Sequence, residues 1–349
     1  MDTSDRLMNS NASDRRRLLA LAAGGIAVLC GVSGTPLVQA QSPSHSSAQS
    51  HPQSYPDRPI HLVVPFPPGG LTDSIGRLVA ERLKLLGQPV IVENRPGAGT
   101  LLAGSQVAGA AADGYTLMVA TSTTLGIAPY LFKDPPMQIK DLKGVAMVGD
   151  VTLVLVVRPD LAVGSLRELV ELLREGPGRF NYATPGNGTV HHLVIEMIKH
   201  QEGLVAAHVP YRGSPQAMAD VISGTVDFML LDAAVALPQV RSGRLKAIGV
   251  TGTSRSALLP TVAPIGELFP EISLSAWQGI AAPARTPLRI VEMLNMHINQ
   301  AMDEGDLRQQ LFQIGVDARP MTARRFNEQI ARDANRWERL VRVSGARVD

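Results

Sequence analysis

Two stretches far apart in the chain read alike: Ile60–Asp73 (IHLVVPFPPGGLTD) and Phe180–His192 (FNYATPGNGTVHH). Each is an apolar, β-rich run that breaks into a Pro/Gly turn and then opens a helical pattern at a Thr. A strand feeding a Gly-rich loop at a helix N-terminus offers unpaired backbone N–H groups and the positive end of a helix dipole. Two such turns, one in each of two α/β halves, predict a cleft that holds an anion from both sides.

Outward from the first stretch, strand and helix alternate. Strand Ile60–Phe66, helix Thr72–Leu86, strand Val90–Glu93, a Gly/Ala helix near Thr100–Ala111 and strand Tyr115–Thr121 make a βαβαβ unit with a parallel sheet. Leu153–Val157 reads as one more strand, closed by Arg158-Pro159. A second unit follows: helix Leu166–Glu175 capped by Ser165, strand Phe180–Thr184, helix His191–His200, strand Ala206–Val209, helix Pro215–Ser223, strand Val226–Leu231, helix Ala233–Ser242 and strand Leu245–Thr251. Gly224 and Gly243 stand at helix C-cap positions. After Trp277 come a short strand, Gly279–Ala282, and three helices, Pro287–Asp303, Asp306–Ile314 and Ala323–Val343, with no sheet of their own. The expected organisation is a discontinuous first lobe (56–157 plus 278–349) and a second lobe (158–277). Two strands would cross between them, near Val156–Pro159 and Ser275–Gly279, so that the lobes close by hinge bending.

The N-terminus carries an export pattern. Arg15-Arg16-Arg17 precedes an apolar run from Leu18 to Val32, and Val38-Gln39-Ala40 offers the small residues of a cleavage site, so residues 1–40 read as a signal peptide. Arg15-Arg16 with Leu18-Leu19 also fits a twin-arginine signal; an ordinary secretory signal with an extra basic residue is the alternative. The run is too short and too rich in Gly and Ala to span a bilayer comfortably. The single cysteine, Cys30, lies in this leader with Leu29 and Ala27 before it, the wrong context for a lipid anchor. The mature chain then has no thiol chemistry and no Cys-ligated metal. Residues 41–55, polar and low in complexity (QSPSHSSAQSHPQS over 41–54), read as a disordered tether. Removing the leader leaves acidic and basic side chains nearly balanced, and few aromatics remain, which argues against nucleic-acid binding.

Four places carry candidate chemistry. The loop of Pro67, Pro68, Gly69 and Gly70 exposes backbone N–H groups at its glycines, with Thr72 placed to cap the helix and turn its hydroxyl to a carboxylate. Asp73 beside an anion site binds a cation, orients water, or simply complements the helix N-terminus. Ser122, Thr123 and Thr124 follow Thr121 at the carboxyl end of a strand, where open α/β sheets bind ligands. Thr184, Gly186, Asn187, Gly188 and Thr189 repeat the first loop. Of the two histidines opening the next helix, the plain reading is a solvated His191 and a packed His192; a His192 that hydrogen-bonds ligand is the functional one. Asp232 ends a strand in an equivalent place and either receives a ligand amine or hydroxyl or caps the next helix. No G-x-S-x-G, Walker A or H-E-x-x-H run occurs. Gly97-Ala98-Gly99 has Leu102 where a dinucleotide fingerprint needs its third glycine, and His192 with Glu196 lacks a third metal ligand. No catalytic residue, metal or cofactor is expected.

Several motifs together resemble the Bug/TctC family, the periplasmic solute-binding proteins of tripartite tricarboxylate transporters. They are Tyr55–Ile60 (YPDRPI), Pro65–Asp73 (PFPPGGLTD), Val92–Gly99 (VENRPGAG), Asp113–Leu117 (DGYTL), His208–Gly213 (HVPYRG), Leu237–Arg244 (LPQVRSGR), Trp277–Gly279, Ala282–Pro287 (APARTP) and Ser344–Ala346. The resemblance spans essentially the whole mature chain. It implies an α/β, two-lobe periplasmic binding protein (type II, Venus flytrap) with two crossover strands. It also implies a small carboxylate held largely by backbone groups, hydroxyls and water at Pro67–Asp73, Thr121–Thr124, Thr184–His192 and Asp232. The chain departs from the family at Thr123–Gly126, where Leu125 replaces a polar group, and at Pro67, where Ala is common. The expected role is an exported, monomeric, non-enzymatic receptor that delivers its carboxylate to the membrane permease subunits of such a transporter. A ligand-sensing partner of a sensor-kinase ectodomain is the alternative, and an exported hydrolase using Asp73 or His192 is a weaker one.

Overall fold

The computed structural model describes residues 55–272 and 276–344. The leader, Cys30 and all of the tether but Tyr55 lie outside the described residues, as do the Gly345-Ala346 end of the last family motif and part of the second expected crossing. The described chain forms two sheets flanked by helices. In order, the first half contains β1 (Ile60–Val64), α1 (Leu71–Leu83), β2 (Val90–Asn94), α2 (Leu101–Ala108), β3 (Thr116–Thr121), α3 (Ala128–Leu131), β4 (Leu142–Val151) and β5 (Leu153–Val157). Then come α4 (Leu166–Glu175), β6 (Asn181–Thr184), α5 (Val190–Glu202), β7 (Ala207–Pro210), α6 (Ser214–Ile222), β8 (Phe228–Asp232), α7 (Ala233–Arg241), β9 (Lys246–Val250) and α8 (Ile265–Leu268). The chain returns through β10 (Ala276–Pro283), α9 (Leu288–Asp303), α10 (Asp306–Gln313), β11 (Val316–Ala318) and α11 (Ala323–Ser344).

The two sheets share one plan. The first runs β11-β4-β10-β3-β1-β2 and the second β7-β6-β8-β5-β9. In each, three parallel strands are followed by one antiparallel strand and then a fifth strand beyond it, with β11 added outside that in the first sheet. The antiparallel strand is β10 in the first sheet and β5 in the second, so each sheet is completed by the strand that links it to the other. Strands β1, β5 and β8 are buried almost end to end, as expected of strands covered on both faces. Helix α1 seals one face with Leu71, Ile75, Val79 and Leu83, a stripe spaced by four residues and essentially inaccessible to water.

Three expectations need correction. The strand Leu153–Val157 belongs to the second sheet, paired antiparallel with β8 and β9, rather than to the first lobe. The chain crosses at Thr152, whose N–H donates to Gly315 O and whose carbonyl accepts from Ala233 N–H, not at Val156–Pro159. Likewise Trp277, expected in the second lobe, stands in β10 of the first sheet, opposite Asp150. The C-terminal segment is not sheet-free: Val316–Ala318 pairs with Val151–Gly149 and adds an edge strand. A three-residue strand after Gly315 leaves too little alternation to be read from sequence.

Candidate functional site

Ends of β1, β3, β4 and β10 in the first sheet and of β5, β6 and β8 in the second border one hollow between the two sheets, with about 520 Å³ of empty space when its open mouth is included. Register explains how. Thr121 at the end of β3 lies opposite Gln278 near the start of β10; Ala276 lies opposite Val151 at the end of β4; Leu153, opening β5, faces Asp232, closing β8. The N-termini of α1, α5 and α6 contribute Gly70-Leu71-Thr72, Val190-His191 and Gly213-Ser214 to the same wall. Strand carboxyl ends and helix amino ends of both lobes therefore converge, which favours a negative group. Phe66, Pro67, Pro185 and Trp277 give the rest of the lining an apolar character. A more open groove of about 1120 Å³ adjoins it, sharing Phe66 and Pro185 and bordered by Gly97–Thr100, Gly186, Asn187, Thr189 and Arg212.

Of the residues singled out from sequence, Pro67, Gly70, Thr72, Ser122, Thr123 and Asp232 line the hollow. Gly186, Asn187 and Thr189 line only the adjoining groove. Pro68, Gly69, Asp73, Thr124, Thr184, Gly188 and His192 line neither. Most of these have an internal task instead. Asp73 is turned into the first loop: its carboxylate accepts from Gly69 N–H, from Arg77 and from Asn94, and Asn94 also donates to Phe66 O. Burial pushes this carboxyl up, but those hydrogen bonds together hold it below the ordinary carboxylate value. Helix α1 is capped by Gly70 in extended geometry, without a side-chain cap; Thr72 sits inside the first turn, where its hydroxyl accepts from Gln278 Nε2 at 3.0 Å. Leu71 and Thr72 N–H, in a first turn, have no intrahelical acceptor. Thr124 bonds Thr121 and Thr100.

The second loop is tighter than the first. Thr189 caps α5 by accepting His192 N–H and donates to Gly186 O. Gly188 N–H donates to His192 Nδ1, and Val190 N–H donates across the cleft to Thr123 Oγ1 at 3.2 Å. Replacing Thr189 by Ala is expected to cost about 1 kcal/mol of stability, the usual worth of an N-cap. A urea midpoint equal to the wild type's would show that the cap is dispensable.

Behind this loop the rings of His192 and His208 stack with centroids 4.1 Å apart, and Tyr182 stacks on His208 at 4.9 Å. Thr184 Oγ1 lies 2.7 Å from His208 Nε2, and the Tyr182 hydroxyl and Lys199 both donate to Glu196. Burial first, then the neighbouring His192, pulls His208 down to about 3, with Glu196 opposing; burial also lowers His192. The sign follows directly: an unfolded imidazole takes its proton near pH 6.5, the folded one only near 3. Stability present above about pH 6.5 is therefore expected to drain away as pH falls towards 3. Urea melts of wild type and His208→Gln across this range would test it. The variant's pH slope should be shallower, and parallel slopes would count against the stack.

The solvated His191 expected from sequence is a correction. Its ring is 8% exposed and faces the hollow, with Nε2 3.3 Å from Asp232 Oδ1. Neither ring nitrogen has a partner in hydrogen-bond geometry among the described residues, nor does Gln278 Oε1. His191, Gln278, Trp277 and Ser214 are among the hollow's residues that sequence reasoning did not place in the site. Ser214 had a usable signal, because Tyr211–Pro215 is a third strand-to-helix turn built on Gly. Gln278 had none: it reaches the site only because β10 runs antiparallel to β3.

Against known proteins, the family profile described as "Tripartite tricarboxylate transporter family receptor" (TctC) matches residues 75–346. Protein BugT of Bordetella pertussis (strain Tohama I) is 37% identical over 302 residues, 84% of this chain and 92% of that protein. The chain belongs to the TctC family of receptors. Among solved structures, the periplasmic binding protein BugD superposes with a TM-score of 0.79 at 28% identity, covering 84% of this chain and 99% of BugD. MatC from Rhodopseudomonas palustris, with bound malate, gives 0.78 at 32% identity, covering 82% of this chain and all of MatC. The chain is thus a solute-binding receptor of the periplasmic-binding-protein fold, not an enzyme. No helix among the described residues is long and apolar enough to cross a membrane.

Proposed function

We propose that this TctC-family receptor is exported by residues 1–40, captures a small carboxylate in the hollow between its lobes, and presents the closed form to the permease subunits of a tripartite tricarboxylate-type transporter. The observation that carries this reading is the meeting of helix N-termini from both lobes at one hollow with unpartnered polar atoms. A buried imidazole and a buried amide oxygen without hydrogen-bond partners cost free energy that a polar ligand would recover. Malate in MatC shows that a relative uses this fold for a small carboxylate. Closure matters because only the closed state holds the outer surfaces of both lobes in one relation that a membrane partner can read. Calorimetry of the full chain against mono-, di- and tricarboxylates tests capture, with saturable heat for at least one of them expected. Absence of heat from every carboxylate, alongside turnover of an ester or amide, would defeat the proposal.

A further inference from the structure

Helix α11 divides cleanly by face. Phe326, Ile330, Ala334, Trp337 and Val341 are buried, and Trp337 packs against Gly126. Asp333 is turned inward as well, accepting from Trp277 Nε1 at 2.9 Å. The other face carries Arg324, Arg325, Arg332, Arg336, Arg339 and Arg342, all exposed. At 3.6 residues per turn these six fall within an arc of about 120° and along about 27 Å of the helix. Glu328 lies 3.8 Å from Arg324 and Glu338 2.6 Å from Arg342. Arg325, Arg332 and Arg339, set at a heptad spacing, form no salt bridge among the described residues. Six basic side chains against three acidic ones give this helix a surplus larger than the +2 of the whole chain. Arg332 and Arg336 stand four residues apart, and Arg336, Arg339 and Arg342 stand at intervals of three, so like charges repel along the ridge. Such a ridge weakens the helix unless something outside it supplies negative charge.

We propose that the arginine face of α11 is the surface by which the receptor adsorbs to an anionic lipid bilayer, its guanidinium groups resting on headgroup phosphates. The make-up of the face decides between a bilayer and a protein partner. Specific protein interfaces have an apolar or aromatic centre from which charge is depleted. Apart from the arginines, the exposed residues of α11 are Glu328, Ala331 and Asn335, and no large apolar side chain is exposed on it. Insertion into the bilayer is excluded too, because the apolar face is committed to the core. What remains is a charged ridge without an apolar anchor, which suits a negatively charged plane. The setting comes from the exported-receptor reading above: a protein serving a membrane transporter finds it faster by searching a plane than a volume.

Co-sedimentation of the full chain with vesicles of phosphatidylcholine alone, and of phosphatidylcholine with about one-third phosphatidylglycerol, tests this. The wild type is expected to bind the anionic vesicles about tenfold better than the neutral ones, and to lose that preference in about 0.5 M salt. The triple variant Arg325→Gln, Arg332→Gln, Arg339→Gln is expected to bind the anionic vesicles about tenfold more weakly. Gln is a good helix former and these three side chains are exposed, so folding is preserved. Removing equal charge from the second lobe, with Arg167→Gln, Arg241→Gln and Arg244→Gln, is expected to change binding less than about twofold. All forms carry the same leader, so only differences between them are read. No preference of the wild type for anionic lipid, or equal losses in the two triple variants, would overturn the proposal. So would absence of lipid binding alongside retention on native membranes that protease treatment abolishes, which would assign the face to an acidic protein. Vesicle binding and carboxylate heat are separate readouts, so either reading can fall without the other.

Discussion

Gly70→Val is expected to lower affinity for any carboxylate the wild type binds by about 100-fold, while leaving the melting temperature of the unliganded protein nearly unchanged. The two halves of that expectation come from different facts. Gly70 has φ −92° and ψ 176°, a conformation open to any residue, and a Cβ placed there meets nothing within 4 Å. Folding therefore tolerates the change. Gly70 nevertheless forms part of the hollow's wall, beside the free N–H groups of Leu71 and Thr72. A branched side chain there displaces a ligand carboxylate from donors worth about 1.5–3 kcal/mol each when the acceptor is charged. Calorimetry alongside a thermal melt separates the two halves. Wild-type affinity would show that the loop does not touch ligand.

Gly99→Ala should act on closure rather than on the ligand. Gly99 lies between β2 and α2 on the first lobe, with φ +56°, and an added Cβ would come within 2.9 Å of Asn187 O on the second. Part of the cost falls on folding, about 1 kcal/mol for a non-glycine residue in left-handed geometry. On the proposed hinge motion, the remainder falls on the shut cleft, where the two loops meet. Apparent affinity is expected to fall about tenfold for every ligand alike, since a smaller competent fraction taxes them equally. Small-angle scattering of the free variant should show a larger radius of gyration. Wild-type scattering together with wild-type affinity would mean that the Asn187 loop yields without cost.

The contrast between these two glycines and two others shows what the sequence could and could not disclose. The parallel strands were legible because burial on both faces makes them continuous apolar runs, as in IHLVV of β1. Strand β4 was not, although at ten residues it is the longest described strand. Gly144 and Gly149 interrupt its pattern, and both are there for packing: a Cβ would strike Phe326 from Gly144 and the Asp317 backbone from Gly149. Missing β4 moved the first crossing by several residues and put β5 in the wrong sheet. At the site, the loops were legible as strand–glycine–helix turns, but the direction of each side chain was not. Asp73 and His192 carry the polar groups a reader would aim at a ligand, yet local hydrogen bonds turn both inward. His191, one residue earlier, takes the cleft-facing side of the same turn and ends up buried in the cavity wall.

The placement of β10 between β3 and β4 has a consequence for biosynthesis. Those two strands touch β10 on either side, so the first sheet cannot assemble fully until the segment after the second sheet has emerged. The second sheet, by contrast, draws all five strands from the uninterrupted stretch Leu153–Val250. A nascent chain would thus finish its later half before its earlier one, carrying an unsatisfied β3 edge meanwhile. A chaperone that masks open strand edges, or a delay in folding until the whole polypeptide is made, is what such an architecture asks of the cell.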